Sequence, residues 1–418
     1  MGLVHLHLPL LTGVVSQRFE KTALVLGGLL VLGALLSGLA RRSFVSLAAV
    51  FVIAGFVLGD GATHALHFDT RSAFVSELAT VALIVILLRD GLEVEAEMLR
   101  SQWHLPLRKL VLAMPLTAIV VALVTRWLTG LSWTESFLVG ALLSPTDPVL
   151  SSSVVTNPRV PRLVRHSLNL ESGLNDGLAL PAVLALAATL TPHGHGFVWW
   201  RFVLENLAFG FAAGGVVGFV AARLIPRVSE MRSLFALGTA FAAYGLAVLL
   251  PNGNGLLAVF VCAIVLTLHH PEVRTSFERQ ATGMVEVVKL GIFVVFGTLL
   301  TLHGLFGSGW AAVGVVAATL LVARPVAVFA ALAGTATDIP TRAFMSWFGP
   351  KGVATMTFSI LVLSEGIARG STIFNLAALT VFVSIVAHGV TDTAGAEWIA
   401  RRAGAGRQSD GEREVSAL

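Results

Sequence analysis

Residues 171–177 read Glu-Ser-Gly-Leu-Asn-Asp-Gly. On a helix, Glu171 and Asn175 form one i, i+4 pair and Ser172 and Asp176 another, so all four side chains share a face. The Ser172 hydroxyl, the Asn175 amide oxygen and an ionised Asp176 are hard oxygen donors suited to an alkali cation. No Cys/His set with metal-ligand spacing accompanies them, which argues against a transition metal. His193, His195, His269 and His270 fall in expected loops and are read as solvated. The chain around this motif is 56% hydrophobic and only 12% charged, against about 25% charged in soluble domains. Carboxylates in such a setting are costly at bilayer depth and usually line an ion or proton path.

Two further clusters bear on the same chemistry. Ser144-Pro145-Thr146-Asp147-Pro148 and Gly349-Pro350-Lys351-Gly352 each interrupt an apolar run. The prolines remove backbone donors and clash with the preceding turn, so a helix breaks at each. Lys351 lies 204 residues beyond Asp147, close to half the chain. Interrupted spans in corresponding halves point to a transporter of inverted repeats with its site at the breaks. Broken backbone survives there only facing protein or water. Half-helix N-termini carry partial positive charge and C-termini partial negative charge, which Asp147 and Lys351 are placed to balance. Counted from span ends, Asp147 lies about 12 Å deep and Asp176, Arg324 and Lys351 about 15 Å, on four different spans at one level.

Positioning these groups requires an all-α membrane protein. A span needs roughly 20 residues to cross about 30 Å of hydrocarbon. Apolar runs predict thirteen: 21–40, 44–59, 73–91, 107–128, 132–155, 166–190, 197–222, 232–250, 255–269, 283–304, 309–334, 341–366 and 371–392. With a cytoplasmic C-terminus and an outside N-terminus, cytoplasmic loops carry 18 of the 28 Lys and Arg and outside segments 6, as the positive-inside rule expects. Arg108 and Lys109 count among the 18 as loop residues. These spread basic residues read as topogenic signals and exclude a nucleic-acid surface. No signal peptide is expected, since Met1–Gln17 lacks a basic start and a cleavage site. Residues 1–395 form one transmembrane domain, its core around 73–190 and 283–392, and 396–418 a short disordered cytoplasmic tail. Cys262 is a small core hydrophobe. Gly210, Gly214 and Gly218 serve close helix packing. Arg89 with Asp90, and Lys289 with Glu286, read as interfacial pairs. Glu365 and Asp392 read as wetted, while Glu77 divides evenly between pathway and surface.

In order along the chain, Ser144-Pro-Thr-Asp-Pro-Val149, Glu171-Ser-Gly-Leu-Asn-Asp176, Ala323-Arg324-Pro325 and Gly349-Pro-Lys-Gly352 resemble the monovalent cation:proton antiporters, the Asn-Asp branch of the sodium/proton exchanger type. The resemblance covers essentially the whole membrane portion. It implies the sodium/proton antiporter fold, with two interrupted helices crossing between inverted repeats. Asp176 then binds cation and proton in turn, with Ser172 and the backbone carbonyl of Thr146 as further Na+ ligands. Asp147 matches the acid at the crossing, and Glu171 with Arg324 a buried ion pair that exchanges no proton. Asn175 replaces a second Asp of electrogenic relatives, which implies electroneutral one-for-one exchange. A homodimer in the cell membrane is also implied. One departure is Lys351, where the family usually carries Arg; Lys keeps the charge but loses the planar fork.

The expected activity is exchange of Na+, or alternatively Li+ or K+, for a proton, without a cofactor or an enzymatic reaction. Partners are small ions and the lipid bilayer. A sodium-coupled organic-anion symporter and a cation channel are the alternatives. A membrane-embedded protease ranks last, because no Ser/His or His-Glu-x-x-His arrangement lies at these depths.

Overall fold

A computed structural model describes residues 27–28, 31, 47–68, 73–94, 104–147, 154, 157–191, 199–228, 230–250 and 253–416. The span expected at 21–40 lies almost wholly outside them, as does Pro148. The elements are α1 (Leu47–Leu58), α2 (Ala73–Leu92), α3 (His104–Thr129), α4 (Trp133–Leu143), α5 (Arg162–Leu190), α6 (Trp199–Leu224) and α7 (Arg232–Val248). They continue with α8 (Gly255–His269), α9 (Glu272–Thr298), α10 (Leu302–Phe306), α11 (Trp310–Ala331), α12 (Ile339–Trp347), α13 (Val353–Ser364) and α14 (Gly370–Ser416). Among the described residues, α3, α5, α6, α9, α11 and α14 contain runs long and apolar enough to cross a membrane. Helix α4 is short because it stops before the Pro145–Asp147 segment, and α13 because it starts only after the second break.

Helix α2 stands at the centre. Ala82 through Leu88 are all buried, which a helix achieves only when neighbours surround it. Those neighbours are α5, α7, α8, α9 and α13. Helix α6 lies against α8 through Gly210, Gly214 and Gly218, where a β-carbon would press on Leu257, Ala258 and Val265. Cys262 is buried in the same layer.

Helices α3 and α11 share an irregularity. Each is α-helical apart from one π turn, Lys109–Ala113 in α3 and Thr319–Ala323 in α11. Each π turn ends two residues before a proline, Pro115 or Pro325. A proline inside a helix cannot bond the carbonyl four residues back and its ring crowds that carbonyl. Admitting one extra residue relieves the crowding. The two helices pack on each other, and each is followed by a break, after α4 in one case and between α12 and α13 in the other. Paired devices in the same order are what inverted repeats require.

Some boundaries differ from expectation. Helix α9 starts at Glu272 because polar turns, including the Arg274–Glu278 pair at 2.8 Å, carry the helix beyond its apolar run. Helix α3 starts at His104, so Arg108 and Lys109 are helical and not loop residues. The backbone of α14 stays helical to Ser416, through residues whose composition reads as a tail.

Candidate functional site

The site begins where α4 stops. Pro145 has no N–H, and the Ser144 hydroxyl donates to Ala141 O in place of a backbone amide (3.1 Å). The chain runs on without helix through Pro145–Asp147. On the other side α12 ends at Trp347, and α13 resumes only at Val353. The two non-helical segments meet, with the Asp147 amide donating to Pro350 O at 2.8 Å. Lys351, fully buried, directs its ammonium to Pro145 O (3.1 Å) and Ser144 O (3.4 Å), the exposed carbonyl end of α4. Asp147 Oδ2 accepts from the Val353 amide, at the start of α13 (3.4 Å). Both charges therefore sit on the helix ends expected for them. Such closeness needs glycine, since a β-carbon on Gly352 would overlap Asp147 and one on Gly349 would overlap the Arg324 guanidinium. Helix α14 steadies the crossing: the Lys351 amide donates to Ser384 Oγ (2.9 Å), and the ring of buried His388 lies 2.8 Å from Trp347 O.

Helix α5 brings its acidic face to the crossing. Glu171, Ser172, Asn175 and Asp176 are all buried. The Asn175 amide nitrogen donates to Thr146 O (2.8 Å) and Thr146 Oγ1 (3.0 Å). A carbonyl only accepts, so this contact fixes which end of the amide faces Thr146. Among the described residues, Asn175 is the one partner of Thr146 O, whose second lone pair stays available. Asn175 Oδ1 and Asp176 Oδ1 are buried with no hydrogen-bond donor among the described residues. Asp90 and Asp147 are the acidic neighbours of Asp176, with Asp90 within hydrogen-bonding reach. A buried carboxylate so placed needs a proton or a cation beside it. Hard, unpartnered oxygens fit an alkali ion.

A second constellation lies one turn earlier on α5. Arg324 grips Glu171 through two nitrogens, Nη1–Oε1 at 2.9 Å and Nη2–Oε2 at 3.3 Å, and also donates to Met345 O at 3.2 Å. The expected pair is present. It has an unexpected third member: Lys109 Nζ lies 2.6 Å from Glu171 Oε2 and 3.3 Å from Ser167 O, with Lys109 only 1% exposed.

Three single-residue expectations are corrected. Lys109 is not a loop cation, because the π turn faces it into the protein. Asp90 is not interfacial; it is 2% exposed and held by Arg89 Nε at 2.9 Å beside Asp176. Asp392 is not wetted; it is buried on α14 and accepts from the Val154 amide (3.3 Å). Glu77 and Glu365 are exposed, and Lys289 pairs with Glu286 at 3.1 Å.

A family model described as "Sodium/hydrogen exchanger, transmembrane" matches residues 28–396. The chain belongs to the sodium/hydrogen exchanger family. Among curated relatives of the chain is the K(+)/H(+) antiporter NhaP of Alkalimonas amylolytica, 25% identical over 92% of this chain and 67% of its own length. The K(+)/H(+) antiporter NhaP2 of Shewanella baltica is 25% identical over 89% of this chain and 66% of its own. A probable Na(+)/H(+) antiporter of Schizosaccharomyces pombe is 27% identical, over 69% and 41%. The chain thus spans about two thirds of the length of the bacterial relatives. The sodium proton antiporter MjNhaP1 of Methanocaldococcus jannaschii superposes with a TM-score of 0.81 at 18% identity, covering 92% of this chain and 100% of that one. The chain shares that fold.

Proposed function

We propose that this protein exchanges a monovalent cation for a proton at Asp176. The observation that carries the reading is the pair of buried, donor-free oxygens, Asp176 Oδ1 and Asn175 Oδ1, against the crossed breaks. Protonated, Asp176 is neutral and tolerates burial. Deprotonated, it requires a cation, because a lone buried charge is strongly penalised. One group that accepts either guest, never both, couples the two fluxes. Ser172 and the second lone pair of Thr146 O complete the ligand set for the cation. Sodium is the first candidate on the motif, and potassium stands beside it because two similar relatives are named K(+)/H(+) antiporters.

Both guests carry one positive charge, and Asn175 stands where electrogenic members of the family carry an acid, so exchange is one for one and electroneutral. Rocking of one repeat against the other moves the loaded site across the barrier. The protein does this as a multi-pass homodimer in the cell membrane with its C-terminus inside, and the ions are its only small-molecule requirement.

The test is a proteoliposome assay with an entrapped pH dye, adding sodium, potassium or lithium chloride outside. Wild type should release the dye quench with at least one salt. Asp176→Asn should lose that response while eluting as a folded protein. Flux retained in the variant removes the proposal.

A further inference from the structure

Glu171 receives one cation from each repeat. Arg324 follows the π turn of α11 directly, and Lys109 opens the π turn of α3. Each of these helices carries its proline just past the turn, at Pro115 and Pro325. The two cations reach the same carboxylate from two helices that pack on each other, Arg324 mainly on Oε1 and Lys109 on Oε2. All three groups are at most 5% exposed. An ion pair of Glu171 and Arg324 alone would already be balanced. The lysine adds one buried positive charge beyond balance, which desolvation opposes unless the charge is used.

We propose that Lys109 is a positioning residue for exchange: with Arg324 it clamps Glu171 from both repeats, fixing where α5 presents Asp176 and adding positive potential there. Lys109 touches neither guest; it acts through Glu171. Five residues separate Glu171 from Asp176, about 7.5 Å of helix rise. At that order of distance a partly screened unit charge changes proton affinity by about one pH unit. The potential also fixes a sign. Asp176 also faces Asp90, Asp147 and Arg89; with these unchanged, removing a positive charge near Asp176 favours the bound proton, so the exchange profile moves to higher pH.

This inference rests on exchange at Asp176, and the experiment separates the two. The pH profile of cation-driven proton flux is measured in proteoliposomes for wild type, Lys109→Met and Lys109→Arg. Lys109→Met is expected to shift the profile by about one unit toward alkaline pH. Lys109→Arg, which keeps the charge, is expected to restore the wild-type profile. Lys109→Gln, able to donate to Glu171 without charge, replaces Lys109→Met should the latter not fold. A wild type without exchange overturns both readings. An active wild type with unshifted neutral variants overturns only this one. Failure of both neutral variants to fold also overturns it, since the lysine would then be a folding determinant alone.

Discussion

Lys351 closes a helix end that proline leaves open. Among the described residues no amide reaches the Ser144 and Pro145 carbonyls, and the buried ammonium supplies both hydrogen bonds. Hydrogen bonds to a charged group contribute about 1.5–3 kcal/mol each in favourable cases. Lys351→Met also removes the burial of an ammonium, which offsets part of that sum, so the thermal midpoint of the purified protein should fall by an amount corresponding to about 2–3 kcal/mol. An unchanged midpoint would mean another donor serves those carbonyls. Glu171→Gln should be worse, because it strips Lys109 and Arg324 of their counter-charge; breaking a buried pair costs about 3–5 kcal/mol. Fluorescence-detected unfolding in detergent would compare the two variants directly. The groups on the proline breaks and in the Asn-Asp motif were legible because charge in an apolar run is conspicuous. Lys109 and Asp90 were not. Both lie near expected span ends, where hydropathy treats a charge as solvated, and only the packing of α3 and α2 shows otherwise.

The interrupted spans depend on close approach as much as on proline. Gly352→Ala would place a methyl group against Asp147. We expect it to abolish exchange while leaving helical content by circular dichroism unchanged, since neither α12 nor α13 needs that glycine to form. Full activity in Gly352→Ala would show that the crossing segments can separate without consequence. Prolines announced the breaks because a missing N–H is written in the sequence. Pro115 and Pro325 stand just past the π turns, but a single proline does not say whether a helix kinks, breaks or admits one extra residue. The resulting helical phase decides which side of α3 Lys109 occupies. Helix ends departed from the expected spans both ways: α7 and α11 stop at Val248 and Ala331, short of the expected bounds. Helices α9 and α14 exceed their apolar runs because polar turns pair their side chains locally, as Arg274 does with Glu278 and Arg401 with Glu397.

Among the contacts between the repeats, three lie at the site: the Asp147–Pro350 bond, the Lys351 contacts to the end of α4, and the Glu171 clamp. Inverted architecture was visible in the spacing of the two proline clusters. The clamp was not, because it needs coordinates from both halves at once. Around the crossing, the buried or nearly buried groups are Arg89, Lys109, Arg324 and Lys351 against Asp90, Asp147, Glu171 and Asp176. Imposing a potassium-diffusion potential on vesicles should leave the sodium-driven rate unchanged, and a steep voltage dependence would contradict one-for-one exchange. Buried cations thus face buried carboxylates in the vacant carrier. On the one-for-one exchange proposed above, whichever passenger boards adds the same single charge, so outward and return journeys look alike to the membrane's electric field, and only the two concentration gradients set the direction of travel.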